Sequence, residues 1–373
     1  LAFTNPNYKF PQVWKTNLAV DQKLPLGFVG TVELLYNKYL NAVHYYNANL
    51  LASVGKFTGV DTRPVYARTD IGTRVNNNVS MGAVLTNKNG AFFRSATFEL
   101  KYPAKKGLWG SVAYTTTLAK DYMSAGSIAS GSWLSARSVN GNNDLPLSYS
   151  DNWIPKRIVG LLGYRIENGA KKGAGATTIT LGYVGQTGSP YTYFVGGDLN
   201  GDRVSNNDLV FVPNKGSDIK FLPLVVGTRT YTEAEQQAAL EAYISQDKYL
   251  STRRGQYAER NASVIPMLHR LDLSVQQDFV VKVKGVNNAL QVRLDILNFG
   301  NMINNKYGVS QRATNTALLA YQSTNAAGEP VYKLATQRNY DGTTSLIKDT
   351  YQWNSSVFDV WTAQLGLRYN FGN

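Results

Sequence analysis

Apolar and polar residues alternate in nine segments of this chain, and the connections between the segments are short and long by turns. Two-residue alternation gives a β-strand one apolar and one polar face. In "WKTNLAVDQKL", Trp14, Leu18, Val20 and Leu24 form the apolar side opposite Lys15, Asn17, Asp21 and Lys23. After the turn Leu24-Pro25-Leu26-Gly27, "FVGTVELLYNKYL" sets Phe28, Val32, Leu34 and Tyr36 against Thr31, Glu33 and Asn37. A second hairpin pairs "FRSATFELKYP" with "LWGSVAYTTTLAK", and a third pairs "RIVGLLGYRIE" with "ATTITLGYVG" through Asn168-Gly169-Ala170-Lys171-Lys172-Gly173. A fourth pairs "HRLDLSVQQDFVVKV" with "ALQVRLDILNF". The last segment presents Trp361, Ala363, Leu365, Leu367, Tyr369 and Phe371 on one side.

The connections discriminate between architectures. Short turns near residues 25, 105, 170 and 286 separate polar connections at roughly 41 to 90, 120 to 153, 187 to 264 and 300 to 356. Short turns at one end and long loops at the other are the pattern of an outer-membrane barrel. A soluble sandwich or propeller also alternates, but its connections seldom reach such lengths at one end alone. The expected class is all-β, an antiparallel transmembrane β-barrel portion with long extracellular loops. No stretch approaches the ~18–20 consecutive apolar residues of a membrane helix, so any membrane crossing is by strands.

Composition narrows the chemistry. Aromatic residues make up 12% of the chain, with 24 Tyr, and those near strand ends suit a membrane–water interface. Zero cysteines exclude disulfides, thiolate metal sites and cysteine nucleophiles. The net charge of +13 is read as Lys and Arg scattered over polar loops and a polar lumen, with no nucleic-acid partner expected. The residues from Leu1 onward hold neither a basic nor an apolar leader segment, and the natural start is expected to have been removed by processing or truncation.

Strand direction adds an expectation about completeness. The last strand should run toward the periplasm, where the short turns lie, and nine alternating strands then start on the extracellular side. A complete bacterial barrel has an even strand number and starts in the periplasm, so residues 1–373 are expected to be a piece of a larger barrel. Within the longest loop, "YTEAEQQAALEAYISQDKYL" carries Thr232 and Glu235 as a capping box, which predicts one short helix to about Leu250. A loop hairpin is expected around "PVYKLAT".

Several segments together carry a family resemblance: "NPNYKFPQVWKTNLAVDQKLPLGFVGTVELLYNK", "SWLSARSVNGNNDLPLSYSD", "GDLNGDRVSNNDLVFVP", "SQDKYLSTRRGQYAERNASVIPMLHRLDLSVQQDF" and "LDILNFGNMINNKYG". They resemble the C-terminal barrel of TonB-dependent outer-membrane receptors of the Bacteroidota, in particular the Oar-like group with a carboxypeptidase-regulatory-like N-terminal domain. The resemblance implies a parent barrel of 22 strands with a plugged lumen, of which this chain holds the last nine. It also implies localisation in the bacterial outer membrane, with outer-membrane lipid around the barrel. A surface lipoprotein is a candidate partner, and TonB would engage through an N-terminal region and plug domain absent from these residues. Phe371, close to the end, resembles the signal read by the barrel assembly machinery.

Candidate sites lie in the loops and lumen. In "GDLNGDRVSNNDLVF", Asp198, Asn200 and Asp202, with Asn206 and Asp208 further on, resemble a calcium loop of alternating oxygen side chains. Arg203 stands where glycine usually permits the sharp turn, and the closing acid comes one position early. The competing reading is an Asx-rich turn held by its own side chains. No cofactor is otherwise required. The loop aromatics Tyr45, Tyr46, Trp133, Tyr149 and Trp153 are ligand-contact candidates, with loop packing as their alternative role. Arg270, Asp272, Asp278, Arg293 and Asp295 are expected to face the lumen as cross-strand partners. Only His44 and His269 are available as imidazoles, without metal spacing or a Ser/His/Asp set, so no enzyme is expected. The expected function is TonB-driven uptake of an extracellular solute, a peptide or glycan. The rival is a passive channel or a structural, adhesive barrel.

Overall fold

The computed structural model describes residues 1–167, 175–283 and 286–371. Nine long strands form one antiparallel sheet whose spatial order is the chain order. They are β1 (Gln12–Lys23), β2 (Val29–Leu40), β3 (Phe92–Lys105), β4 (Leu108–Asp121), β5 (Lys156–Glu167), β6 (Gly175–Thr187), β7 (Met267–Val283), β8 (Val286–Leu297) and β9 (Thr362–Asn370). A short strand, Ser148–Tyr149, continues the pairing beside the end of β4. The meander is open: among the described residues it does not close, and β1 and β9 form its two edges.

Turn chemistry sets the hairpins. Between β1 and β2, Pro25 fixes its own φ, and Leu26 and Gly27 take positive φ values of 64° and 91°. Between β3 and β4, Gly107 at φ 83° packs against the neighbouring strand so closely that a Cβ there would lie 2.2 Å from the Arg165 carbonyl oxygen. Only glycine serves at that position. Just before this turn the β3–β4 ladder shifts between Tyr102 and Lys105. Pro103, which has no N–H to give to a ladder, sits in that shift. The turn expected over 168–173 lies outside the described residues, as do positions 284 and 285 of the turn expected near 286.

Register aligns the apolar faces of all nine strands into one surface. Val20 opposes Val32, Val32 opposes Phe98, and Phe98 opposes Tyr114, which opposes Ile158. Further along, Leu162 opposes Leu181, Leu181 opposes Leu273, and Leu273 opposes Ile296, which opposes Ala363. Trp14, Leu18, Leu34, Phe98, Leu162, Leu290, Leu365 and Leu367 on this surface are exposed. Among the described residues no second sheet covers it, and the short helix Phe299–Ile303 meets it at the cap end, where a Cβ on Gly300 would lie 3.9 Å from that of Leu271. We call this face outward and its opposite inward. Inward side chains bond across the strands, with Asn17 donating to Glu33 at 2.9 Å and Thr97 and Thr115 sharing a hydroxyl bond of 3.0 Å.

The long connections form a cap at one end of the sheet, and the main hydrophobic core lies there. Tyr193, Val195, Leu240, Tyr243, Ile244, Leu318, Leu319, Tyr332 and Leu334 belong to one buried cluster. Short strands support it, with Phe194–Gly196, Ala317–Thr324, Pro330–Leu334 and Lys220–Phe221 in a common sheet. The expected loop hairpin is the pair Ala317–Thr324 and Pro330–Leu334. The loop helix α1 (Glu233–Gln246) starts at Thr232, whose hydroxyl accepts the Glu235 N–H while Glu235 accepts the Thr232 N–H. It stops before the expected Leu250, and where one loop helix is expected from the sequence, shorter ones also stand at Asp70–Thr73, Ala129–Leu134 and Phe299–Ile303. Asp247 turns the chain and accepts the N–H groups of Tyr249 and Leu250, and a short 3-10 turn follows at Leu250–Arg253.

Candidate functional site

The oxygen-rich loop lies inside the cap and is knitted to its own backbone. Asp198 accepts the N–H groups of Gly201 at 2.7 Å and Arg203 at 3.1 Å. Asn200 accepts from Asp202, and Asp202 from Val204, each at 2.9 Å. Asn206 accepts from Gly197 at 3.0 Å. The bonds of Asn200 and Asp202, each to the backbone two residues on, are Asx-turn bonds, which let short polar side chains replace backbone partners in tight turns. Arg203 adopts φ 72°, a left-handed conformation that favours glycine. An ion pair to Asp70 anchors its side chain.

Asp208 has a different set of partners. One oxygen accepts the N–H groups of Leu199 at 2.9 Å and Asn200 at 3.3 Å, and the other lies 3.2 Å from the Arg63 guanidinium. Arg63 is 1% exposed. It also bonds both Asp61 oxygens at 3.0 Å and the Leu209 carbonyl at 2.7 Å. Burial works against the guanidinium charge, but Asp61 and Asp208 outweigh it and hold Arg63 above its ordinary range. The result is a staple between the first and third long connections. Sequence reasoning missed Arg63 and Asp61, because no local spacing links them to Asp208.

The loop's carboxylates are electrostatically uneasy. Burial pushes Asp202 up to about 7, and the neighbouring charge of Asp208 adds to the shift. Burial likewise raises Asp208 to about 6, against the pull of Arg63. Asp202 is held by the Asn207 amide at 2.8 Å. Among the described residues, no three acidic or imidazole side chains stand together as a metal-holding group. The five calcium-loop positions therefore come together as a turn, with Asp208 directed to Arg63.

The aromatic candidates separate into distinct environments. Trp133 is 1% exposed, and its indole N–H donates to Asn143 at 2.9 Å. It is a cap core residue closed to any ligand, which corrects its place among the contact candidates. Tyr45 is half-buried against the small cluster of Met123, Ala136 and Leu145, and Tyr46 beside it is also half-buried. Tyr149 and Trp153 stack with centroids 4.3 Å apart, and the Lys120 ammonium sits 4.6 Å above the Tyr149 ring. The Trp153 N–H donates to the Thr117 carbonyl at 2.9 Å.

The five inward charges reach several partners. Asp278 accepts from Gln291 at 2.9 Å and pairs with Arg165 across the sheet at 3.2 Å. Arg293 pairs with Asp295 along its own strand at 2.8 Å. Arg270 binds Asp359 at 2.9 Å, and Asp272 accepts the Asn298 N–H at 2.7 Å, so both fasten cap connections to the sheet. The histidines lie apart. Burial, with help from Lys88, lowers buried His44 to about 4, and His269 shares a 2.6 Å hydrogen bond with Tyr183 on the outward face.

No family model matches the chain, and comparison with curated proteins and with solved structures finds no match.

Proposed function

We propose that this chain is part of an outer-membrane β-barrel, with its outward face against lipid and its cap toward the extracellular solute, in a receptor for TonB-driven uptake. One observation carries the membrane reading: the outward face of all nine strands is apolar over its middle, its side chains there are exposed or half-buried, and no second sheet among the described residues lies over them. Leu365 and Leu367 remain 70% and 72% exposed there. Burying such a side chain is worth roughly 1.5–3 kcal/mol, which a face left in water does not gain. A hydrocarbon surround removes that loss, and the polar inward face then lines the lumen. Closure of the strands into a barrel belongs to the same reading, because exposed sheet edges are not tolerated in hydrocarbon.

Coupling to TonB rests on the family resemblance of the quoted segments. A peptide or glycan would enter past the cap. Calcium is not needed for this role, since the oxygen-rich loop has partners within the protein.

Membrane fractionation of cells expressing the natural gene tests the reading. The chain is expected in the outer-membrane fraction and should resist alkaline carbonate extraction; recovery in the soluble fraction overturns it. A plug domain and TonB box are expected upstream in the same reading frame. An intact gene lacking them, with ion conductance in planar bilayers, would point instead to a passive channel.

A further inference from the structure

The outward face carries a localised cluster of charge of one sign. Register places no Asp or Glu on that face in any of the nine strands, among the described residues. Between the turns, its Lys and Arg residues are Lys38 on β2, Arg94 on β3, Lys120 on β4 and Lys156 on β5, all at the cap end. Lys38 opposes Phe92, and Phe92 opposes Lys120, whose ammonium lies 4.6 Å from the Tyr149 ring centroid. Arg94 lies two residues further along β3, between Tyr36 and Leu118. With strands about 4.8 Å apart, the backbones of Lys38 and Lys120 stand roughly 10 Å apart, within reach of a common anion for side chains of that length. Lys156 lies one strand further on, opposite Thr116. Among the described residues, no carboxylate pairs with Lys38, Arg94, Lys120 or Lys156.

Directly below the cations the surface is dented. A hollow of about 570 Å³ lies among Leu18, Leu34, Tyr36, Ala96, Thr116 and Leu118, with Arg94 in its wall. Ala96 and Thr116, opposite one another, are smaller than the side chains around them and leave the space. An apolar hollow with cations along one edge that no carboxylate neutralises has the complement of an acyl chain ending in an anionic head. Outward cations are absent from β6 to β9 over the described residues, so the charge is not a general rim. This localisation argues against a uniform interfacial role.

We propose that Lys38, Arg94 and Lys120 form a binding site for a phosphate-bearing acyl lipid of the surrounding bilayer, with its head on the cations and one chain in the hollow beside Ala96. This site rests on the membrane reading above. Phosphate suits it because an arginine fork and two ammonium groups can share its oxygens through charge-assisted hydrogen bonds. A zwitterionic head would bring its own cation into an already positive patch. The acid-free outward face also means that no protein carboxylate competes for the three cations.

Native mass spectrometry of the protein extracted from membranes in neutral detergent tests the site, with dioleoyl phosphatidic acid and dioleoyl phosphatidylcholine as probes. The wild type should retain the phosphatidic acid preferentially. The Lys38→Gln/Arg94→Gln/Lys120→Gln variant should bind it on the order of tenfold less or weaker still. A Lys15→Gln/Lys23→Gln/Lys101→Gln variant makes the same charge change on the inward face and should bind as the wild type does. Ala96→Phe, which fills the hollow and leaves the charge alone, should weaken the dioleoyl lipid but not its dihexanoyl homologue. Equal binding by all forms, or equal loss in both charge variants, overturns the site while leaving the membrane reading standing. A chain recovered in water without detergent overturns both.

Discussion

Leu240, Tyr243, Ile244, Leu318 and Leu319 of the cap are at most 1% exposed, whereas Leu18, Leu162, Leu365 and Leu367 of the sheet are all more than half exposed. The residue types are the same and their surroundings are opposite. In the cap, apolar groups bury one another, and the buried Arg63 charge is held between Asp61 and Asp208. In the sheet, each strand sorts its residues by side, and among the described residues no second sheet covers the apolar one. Alternation alone therefore does not announce a core. It announces two solvents, and here only one of them is the protein itself.

The largest expected effect falls in the cap. Arg63→Ala leaves Asp61 and Asp208 buried without their cation, which should cost roughly 3–5 kcal/mol. Thermal unfolding followed by the fluorescence of buried Trp133 should show the cap melting early while sheet circular dichroism persists. A single shared transition would erase the distinction between the two regions. In the sheet, Leu294→Arg puts a charge on the outward face beside Val275 and Leu365. In a bilayer it should destabilise by about 2–4 kcal/mol, measured by denaturant unfolding in liposomes, with Gln291→Arg on the inward face much milder. Equal effects of the two would break the assignment of faces.

Acidity gives a smaller lever on the cap. Asp202 sits near 7 when folded and near the ordinary carboxylate range when unfolded, so the folded state binds the extra proton between those values. Its contribution is present at low pH and is lost as pH rises through about 7. His44 works the other way: its folded value of about 4 lies below its ordinary 6.5, so it favours folding above that range and loses the contribution as pH falls. The difference between wild type and Asp202→Asn isolates the carboxylate. Lowering pH from 8 to 5 should raise the wild-type cap melting temperature relative to the variant, and parallel curves would refute this. Thr232→Ala removes the hydroxyl cap of α1 and should cost about 1 kcal/mol, read as a small shift in that melting. Least of all, calcium should leave the cap melting temperature unchanged. A calcium-dependent rise lost in Asp202→Ala would show that the loop takes the ion despite its internal bonds.

The sheet was legible in the sequence because its information is local. Leu271, Leu273 and Val275 declare their side by spacing alone, and the capping box of Thr232 and Glu235 declares its helix in the same way. Chemistry in the cap is not local. Asp61 meets Tyr257 at 2.9 Å across 196 positions, and Thr350 meets Asp247 at 3.0 Å across 103. Strands of two or three residues, such as Lys220–Phe221, are too short to show a period. Trp133 was visible as a loop aromatic, but its burial comes from connections far along the chain. The outward cations were missed for another reason: counted by composition they disappear into the net charge, and only strand parity separates Lys38 and Arg94 from Lys15 and Lys101.

The neighbour-to-neighbour order of the sheet also carries a consequence for the order in which the two regions can be completed. Each strand from β1 to β8 pairs with the next long strand in the chain, across a short turn and a long connection alternately. The cap must wait. Tyr191 needs Tyr351, and Asp247 needs Thr350, so those two bonds cannot form until the final long connection is in place. The strands can line up in the order they appear, but the cap is finished only near the end, shortly before β9 takes its place beside β8.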